Sequence, residues 1–302
     1  MTTLIKTFAK LNLSLLVFPP CAKHYDLATS YHPICSIFQS ISLFDTLEIT
    51  KTPDSHGLNL TCSKHNLPVD ETNIISKIYS YFKSDIPFGL TVHIQKNIPI
   101  GSGLGGGSSN AAGFITYLNA ACGWNCNLKK LEDIGTHFGS DIPFFFTGGT
   151  ALVQGIGNEI TPVTINSPPY YLLINPNISI SSALVYQALD RQQSWKALPR
   201  PVLSQETQTN QLFEATASQI EHLLNHPVAI NMLKPVVWEM HPMYKNIEKQ
   251  LSEMHAPAAH LTGSGATLFI PFQDKKESQL WNSRLKQVFP DYFVHLTHAV
   301  HP

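Results

Sequence analysis

The chain has 302 residues, 43% of them hydrophobic and 14% charged, which allows one large or two ordinary domains with a substantial buried core. Its 20 basic and 21 acidic residues nearly cancel, excluding a basic nucleic-acid-binding surface and a polybasic membrane anchor. No apolar run reaches the roughly 18 residues of a membrane span. The first ten residues lack a secretory-signal layout. The five irregularly placed cysteines read as thiols of a reducing cytoplasm, since Cys122 and Cys126 have no second pair to complete a zinc site.

In chain order, residues 7–17 alternate between apolar Ala9, Leu11, Leu13 and Leu15 and polar Lys10, Asn12 and Ser14. That is the period of a strand with one face in a core, and on this fragment alone Lys10 and Asn12 form a solvated face. Residues 19–33 are a loop containing Pro, His and Tyr. A second strand covers 36–49, a polar loop or hairpin 51–70, a helix 73–82 and a strand 90–96. A glycine-rich segment follows, then a helix over 110–122 ended by Gly123. Residues 128–138 place Leu131, Ile134 and Phe138 on one helical face. Asp141 then stands in a Gly/Ser turn before an apolar run, as a turn or cap residue or as a side chain facing a site. A strand bounded by glycines covers 150–154, and Pro168 and Pro169 mark a boundary near 160–170. Beyond it come a core strand at 170–175, a polar loop at 191–211, a helical region at 212–255, a second glycine element at 261–266, a strand at 267–271, a helix at 275–288 and a last strand at 292–297. The 14 histidines are scattered. His222 and His226 are four apart, but Leu223 stands where a zinc-protease motif has Glu.

The segment 99–112 reads Pro-Ile-Gly-Ser-Gly-Leu-Gly-Gly-Gly-Ser-Ser-Asn-Ala-Ala. Gly101, Gly103, Gly105, Gly106 and Gly107 lack Cβ atoms, so the backbone can turn tightly and bring its N–H groups close to a ligand. Ser108 and Ser109 are natural N-cap residues. The helix start that follows carries partial positive charge and unpaired N–H groups, a combination suited to phosphate oxygens. A Walker A loop requires Lys after its last glycine, and Ser108 stands there instead. Gly101, Gly103 and Gly106 fit a dinucleotide spacing, but the acidic residues about 20 positions later lie in a helical pattern, not at the end of a strand. A flexible linker is a poor description of glycines set between an apolar strand and an amphipathic helix.

Three elements together, Ala9-Lys10-Leu11-Asn12-Leu13, the segment 99–112 and Leu261-Thr262-Gly263-Ser264-Gly265-Ala266, resemble the galactokinase, homoserine kinase, mevalonate kinase and phosphomevalonate kinase (GHMP) superfamily. Tyr31-His32, Phe38-Gln39, Phe44-Asp45-Thr46-Leu47 and Gly139-Ser140-Asp141-Ile142-Pro143 narrow the resemblance to its 4-diphosphocytidyl-2-C-methyl-D-erythritol kinase branch. The resemblance implies a two-domain α+β fold, with a ribosomal S5 domain 2-like N-terminal domain at 1–162 and a ferredoxin-like C-terminal domain at 163–302. It implies phosphoryl transfer from ATP with Mg²⁺ to a small-molecule hydroxyl, in a cytoplasmic protein that is a monomer or weak homodimer with no nucleic-acid or membrane partner.

By the same resemblance, Lys10 and Asp141 are the catalytic pair. Asp141 accepts or orients the substrate hydroxyl proton, and Lys10 offsets charge on the transferring group. Pro99, Ile100, Gly101, Ser102, Gly103, Leu104, Gly105, Gly106, Gly107, Ser108 and Ser109 cradle the triphosphate, and Asn73 and Lys96 fall near the adenine. Substrate contacts fall on Asn12, Tyr31, His32, Tyr186, Gly263, Ser264 and Gly265, with Tyr31 and Tyr186 stacking on a flat base. For Tyr186 a core aromatic on a helix is the competing description. No protein ligand of the metal is implied. The chain departs from the family in one place: the usual Arg-x-Asp-Gly-Tyr-His is replaced by Lys23-His-Tyr-Asp-Leu-Ala-Thr-Ser-Tyr-His32. A homoserine- or mevalonate-type kinase and a non-catalytic ligand sensor on the same fold are the alternatives.

Overall fold

The computed structural model describes residues 2–18, 32–52, 56–164, 169–192 and 230–300. Two long strands, β1 (Thr2–Val17) and β2 (Ile34–Thr52), form an antiparallel ribbon running from the pair Thr2–Thr50 to the pair Val17–Ile34. The other edge of β2 is shared. Its later half pairs with β4 (Gly89–Gln95) and its earlier half with β5 (Thr150–Gln154). With β3 (Leu58–Cys62) parallel to β4, and β6 (Glu159–Pro162) on β5, this makes a six-stranded sheet. The loop or hairpin expected at 51–70 therefore contains a strand. Leu58, Leu60 and Cys62 alternate there, too short a pattern to stand out from its polar surroundings.

Helix α1 (Ile74–Tyr81) begins at Asn73, whose side chain accepts the Ile75 N–H. Helix α2 (Gly106–Ala121) follows β4 and presents Ala111, Phe114, Ile115 and Leu118, at the i, i+3, i+4, i+7 spacing, to Leu47, Ile49, Val92 and Ile94 of the sheet. Gly113 permits that approach, since a Cβ there would lie 2.6 Å from Thr7 Cγ2. Helix α3 (Leu128–Phe138) and the single turn α4 (Phe144–Thr147) complete this layer.

A second, wholly antiparallel sheet has the order β10-β7-β9-β8, built from β7 (Tyr170–Asn175), β8 (His260–Leu261), β9 (Leu268–Phe272) and β10 (Phe293–His298). Strand alternation divides its side chains between two cores. Leu172, Ile174, Leu268 and Ile270 pack on α5 (Ser182–Gln192), α6 (Lys234–Met240), α7 (Met243–Glu253) and α8 (Lys275–Val288). Tyr171, Leu173 and Phe269 face the other way, against Ala9, Leu11, Leu13, Ile37 and Ile41 of the ribbon. The ribbon is thus common to both halves, and its far end contributes Leu15 and Val17 to the helix-backed core of the second sheet. The C-terminal segment returns to it, with Ala299 bridged to Ile41 and the Val300 N–H donating to the Ser40 carbonyl at 2.9 Å.

Two further sequence expectations change. The helix expected from residue 110 begins at Gly106, capped by Gly105 in the left-handed conformation (φ 69°) with no side-chain cap. Ser108 and Ser109 lie inside its first turn rather than capping it. Lys10 and Asn12 are not a solvated strand face, since each is only 3% exposed. Residues 193–229, including His222, His226 and most of the polar loop, lie outside the described residues, as does Tyr31. Among the described residues no helix is long and apolar enough to cross a membrane.

Candidate active site

A cleft of about 1070 Å³ lies between the two sheets, floored by the glycine segment. Lys10 enters it from β1, whose backbone N–H at that residue donates to the Leu104 carbonyl at 2.9 Å, tying strand to loop. The Lys10 ammonium lies 2.5 Å from Asn12 Oδ1, 3.3 Å from Asp141 Oδ2 and 4.6 Å from the centre of the Phe38 ring. Asp141 comes from the turn between α3 and α4, and its side chain is 31% exposed toward the cleft. Burial makes the lysine charge costly unless it is paired, and Asp141 and Asn12 supply that pairing.

Asn12 is itself held on three sides. Its backbone N–H donates to Thr262 Oγ1 at 2.8 Å, its amide donates to Ser36 Oγ at 2.9 Å, and its oxygen accepts from Lys10. Thr262 belongs to the second glycine element, so this network draws the two sheets' loops together. The Thr267 N–H donates to the Ser102 carbonyl at 3.1 Å, and the Ile180 N–H to the Gly101 carbonyl at 3.2 Å. The packing leaves no room for side chains. A Cβ at Gly103 would lie 2.6 Å from the Gly265 carbonyl oxygen, and one at Gly101 only 1.9 Å from Ser179 Oγ. Both glycines also adopt positive φ (77° and 61°).

The residues expected to hold ATP separate by position. Pro99 through Gly103, Gly105 through Ser108, Asn73 and Lys96 line the cleft. Leu104 turns its side chain into the core with Leu11 and Phe269, and Ser109 is buried in the first turn of α2. Lys96 makes an ion pair with Asp45, and both are almost fully buried. Of the residues expected at the substrate, Asn12, His32, Tyr186, Gly263 and Ser264 line the same cleft, whereas Gly265 does not.

The His32 ring is stacked on Tyr186, with centroids 5.3 Å apart and planes 22° from parallel. Its Nδ1 lies 3.0 Å from the Phe18 carbonyl and its Nε2 3.4 Å from Asp190 Oδ1. Tyr186 also packs on the core beneath α5, as the description of it as a core aromatic on a helix has it, while it lines the cleft. Burial, and secondarily the negative charge of Asp141, push its phenol above the ordinary value, which keeps it neutral and able to donate.

Sequence reasoning missed Asp190, Phe38, Ser36, Thr262 and Asn231. Asp190 was accessible in principle, since it follows Tyr186 by four on a helix and so shares its face. Asn231, whose amide donates to the Leu261 and Gly263 carbonyls at 2.8 Å each, carries no such local signal.

The family described as the GHMP kinases N terminal domain matches residues 73–149. A 4-diphosphocytidyl-2-C-methyl-D-erythritol kinase of Clostridium beijerinckii is 32% identical over 298 residues, covering 96% of this chain and 98% of the relative. A solved 4-(cytidine 5'-diphospho)-2C-methyl-D-erythritol kinase superposes with a TM-score of 0.76 at 23% identity, over 99% of this chain and all of the other. A homoserine kinase from Cytophaga hutchinsonii gives 0.69 at 15% identity, covering 99% and 95%. The glycine loop, the two-sheet GHMP kinase fold and the full-length similarity place this chain in the 4-diphosphocytidyl-2-C-methyl-D-erythritol kinase family.

Proposed function

We propose that the chain transfers the γ-phosphoryl group of ATP to the 2-hydroxyl of 4-diphosphocytidyl-2-C-methyl-D-erythritol, with residues 1–162 and 163–302 as its two units. The observation that carries this reading is the meeting of Lys10 and Asp141, 3.3 Å apart, in one cleft with the glycine loop and the His32–Tyr186 stack.

In such a transfer the protein positions the reactants and offsets charge. Asp141 faces the cleft and accepts or orients the proton of the attacking hydroxyl. Lys10, held by Asn12 and Asp141, stabilises negative charge developing on the transferred group. Gly101, Gly103, Gly105 and Gly106, where a Cβ would strike neighbouring protein atoms, keep that stretch free of side chains, so its backbone can lie against phosphate oxygens. Tyr186 and His32 offer ring faces and polar edges to the cytosine, and Asp190 orients the imidazole. Mg²⁺ carried with ATP would neutralise phosphate charge beside the glycine loop and Lys10. A cytoplasmic location and a monomer or weak homodimer go with this reading.

The test is ADP release by purified protein with Mg-ATP and this acceptor, beside homoserine and mevalonate, with Asp141→Asn as control. Turnover with the cytidine-bearing acceptor alone, lost in the variant, is the expected result. Turnover with another acceptor only would show that the altered 23–32 segment has changed specificity, and no turnover with any would count against catalysis.

A further inference from the structure

We propose that Asp45 is a positioning residue for the nucleotide, a buried carboxylate that clamps the entry and the exit of the glycine loop together. This rests on the reading of that loop as the ATP site.

Asp45 lies in the middle of β2, opposite Thr7, and is 0% exposed. A carboxylate in that position is tolerated only when its lone pairs are filled. Oδ1 accepts the backbone N–H groups of Asn97 at 2.7 Å and Ile98 at 2.8 Å. Oδ2 takes the ammonium of Lys96. With its amide nitrogen turned toward the surrounding acceptors, Asn110 places its two N–H groups among the same Oδ2 at 3.1 Å, the Gly106 carbonyl at 3.0 Å and Thr7 Oγ1 at 2.8 Å.

Residues 96–98 are the last before the loop, and Gly106 and Asn110 belong to the first turns of α2 after it. A single carboxylate thus fastens both ends of the segment 99–105. The ends also touch directly. A Cβ at Gly106 would lie 2.8 Å from Lys96 Nζ and 2.9 Å from Ile98 Cγ2. A loop fixed at both ends presents its backbone donors without rearranging when phosphate arrives, which is the condition for strong electrostatic binding. Asp45 reaches the nucleotide only through Lys96, Asn110 and the loop, so its effect belongs to ATP and not to the acceptor held by α5.

The experiment compares wild type, Asp45→Asn and Asn110→Ala. It measures ATP affinity by calorimetry without acceptor, KM for ATP and for 4-diphosphocytidyl-2-C-methyl-D-erythritol, and thermal unfolding. Asp45→Asn is expected to weaken ATP binding about tenfold and Asn110→Ala about threefold, with acceptor KM within about twofold of wild type. A folded Asp45→Asn protein with wild-type ATP affinity overturns the proposal, and so do ATP and acceptor KM values that rise together. Should Asp45→Asn fail to fold, Asn110→Ala, which leaves the Lys96–Asp45 pair in place, decides by the same criteria. Wild-type protein that binds ATP without phosphorylating this acceptor overturns the substrate reading alone, since the ATP affinities still decide the clamp. Wild-type protein that binds no ATP overturns the loop reading and the clamp with it.

Discussion

The ammonium of Lys10 and the carboxylate of Asp141 lie 3.3 Å apart although one comes from the first strand and the other from the turn after α3. The pair exists only when the sheet and the helical layer are assembled, so it reports on the folded active site. Asp141→Asn keeps the shape of the side chain and removes the base. We predict a fall in kcat of about 10²- to 10⁴-fold with the circular dichroism spectrum unchanged. Retention of a tenth or more of wild-type turnover would rule out Asp141 as the base.

Two glycines of the loop should respond in opposite senses. Gly103 sits at φ 77° with carbonyl oxygens 2.6 and 2.7 Å from a would-be Cβ, so Gly103→Ala is predicted to cost about 1–3 kcal/mol of stability and to weaken ATP binding. Gly107, in the first turn of α2, has nothing within 4 Å of a would-be Cβ, and Gly107→Ala is predicted to raise stability by up to about 1 kcal/mol. Because Gly107 lines the cleft, the added methyl is still predicted to raise KM for ATP. Denaturant titration with ATP binding on both variants separates the two effects, and equal stability losses would refute the loop geometry.

The His32–Tyr186 stack predicts a selective loss. Tyr186→Ala should raise KM for the cytidine-bearing acceptor about tenfold or more while leaving KM for ATP near wild type, since base–aromatic stacking is worth roughly 1–3 kcal/mol. Asp190→Asn should act in the same direction more weakly, because it changes only the partner of His32 Nε2. Steady-state kinetics with each substrate varied in turn would reveal a common loss for both substrates, which this placement forbids.

Stability is predicted to fall on mild acidification through His295. Partial burial, and next the positive charge of Lys286, hold its imidazole below the ordinary value of 6.5. The unfolded chain therefore takes up this proton first as pH falls. The stabilisation from a neutral His295 is complete above about pH 6.5 and is lost as pH descends through the folded value. In His295→Gln the urea midpoint should vary less with pH over that window. An unchanged acid limb would assign the sensitivity elsewhere.

How much of this was legible in the sequence depended on the range of the interactions. The helix at 275–288 and the strand at 170–175 follow from local periodicity, and the structure has them at the same residues. The start of α2 was misplaced because capping serines were weighed and a left-handed Gly105 was not, though glycine is a permitted cap. Residues 10 and 12 read as solvated because strand alternation shows that one face is apolar but not what covers the other. Here the cover comes from distant segments, Thr262 some 250 positions beyond Asn12 and Asp141 beside Lys10. Asp45 entered only as part of the motif at 44–47, and Asn231 not at all, because their partners, Lys96 for the one and Leu261 and Gly263 for the other, stand 51 and about 30 positions along the chain.

The shared ribbon has a consequence for synthesis. Leu15 and Val17 leave the ribosome well before the side chains that share their core, Leu172, Ile174, Leu233, Leu268 and Ile270. The opposite end of the same ribbon, Leu47 and Ile49, can be covered once α2 has emerged. A nascent chain halted near residue 165 therefore holds a hairpin finished at one end and bare at the other, with an apolar surface exposed until the second sheet and its helices have been made.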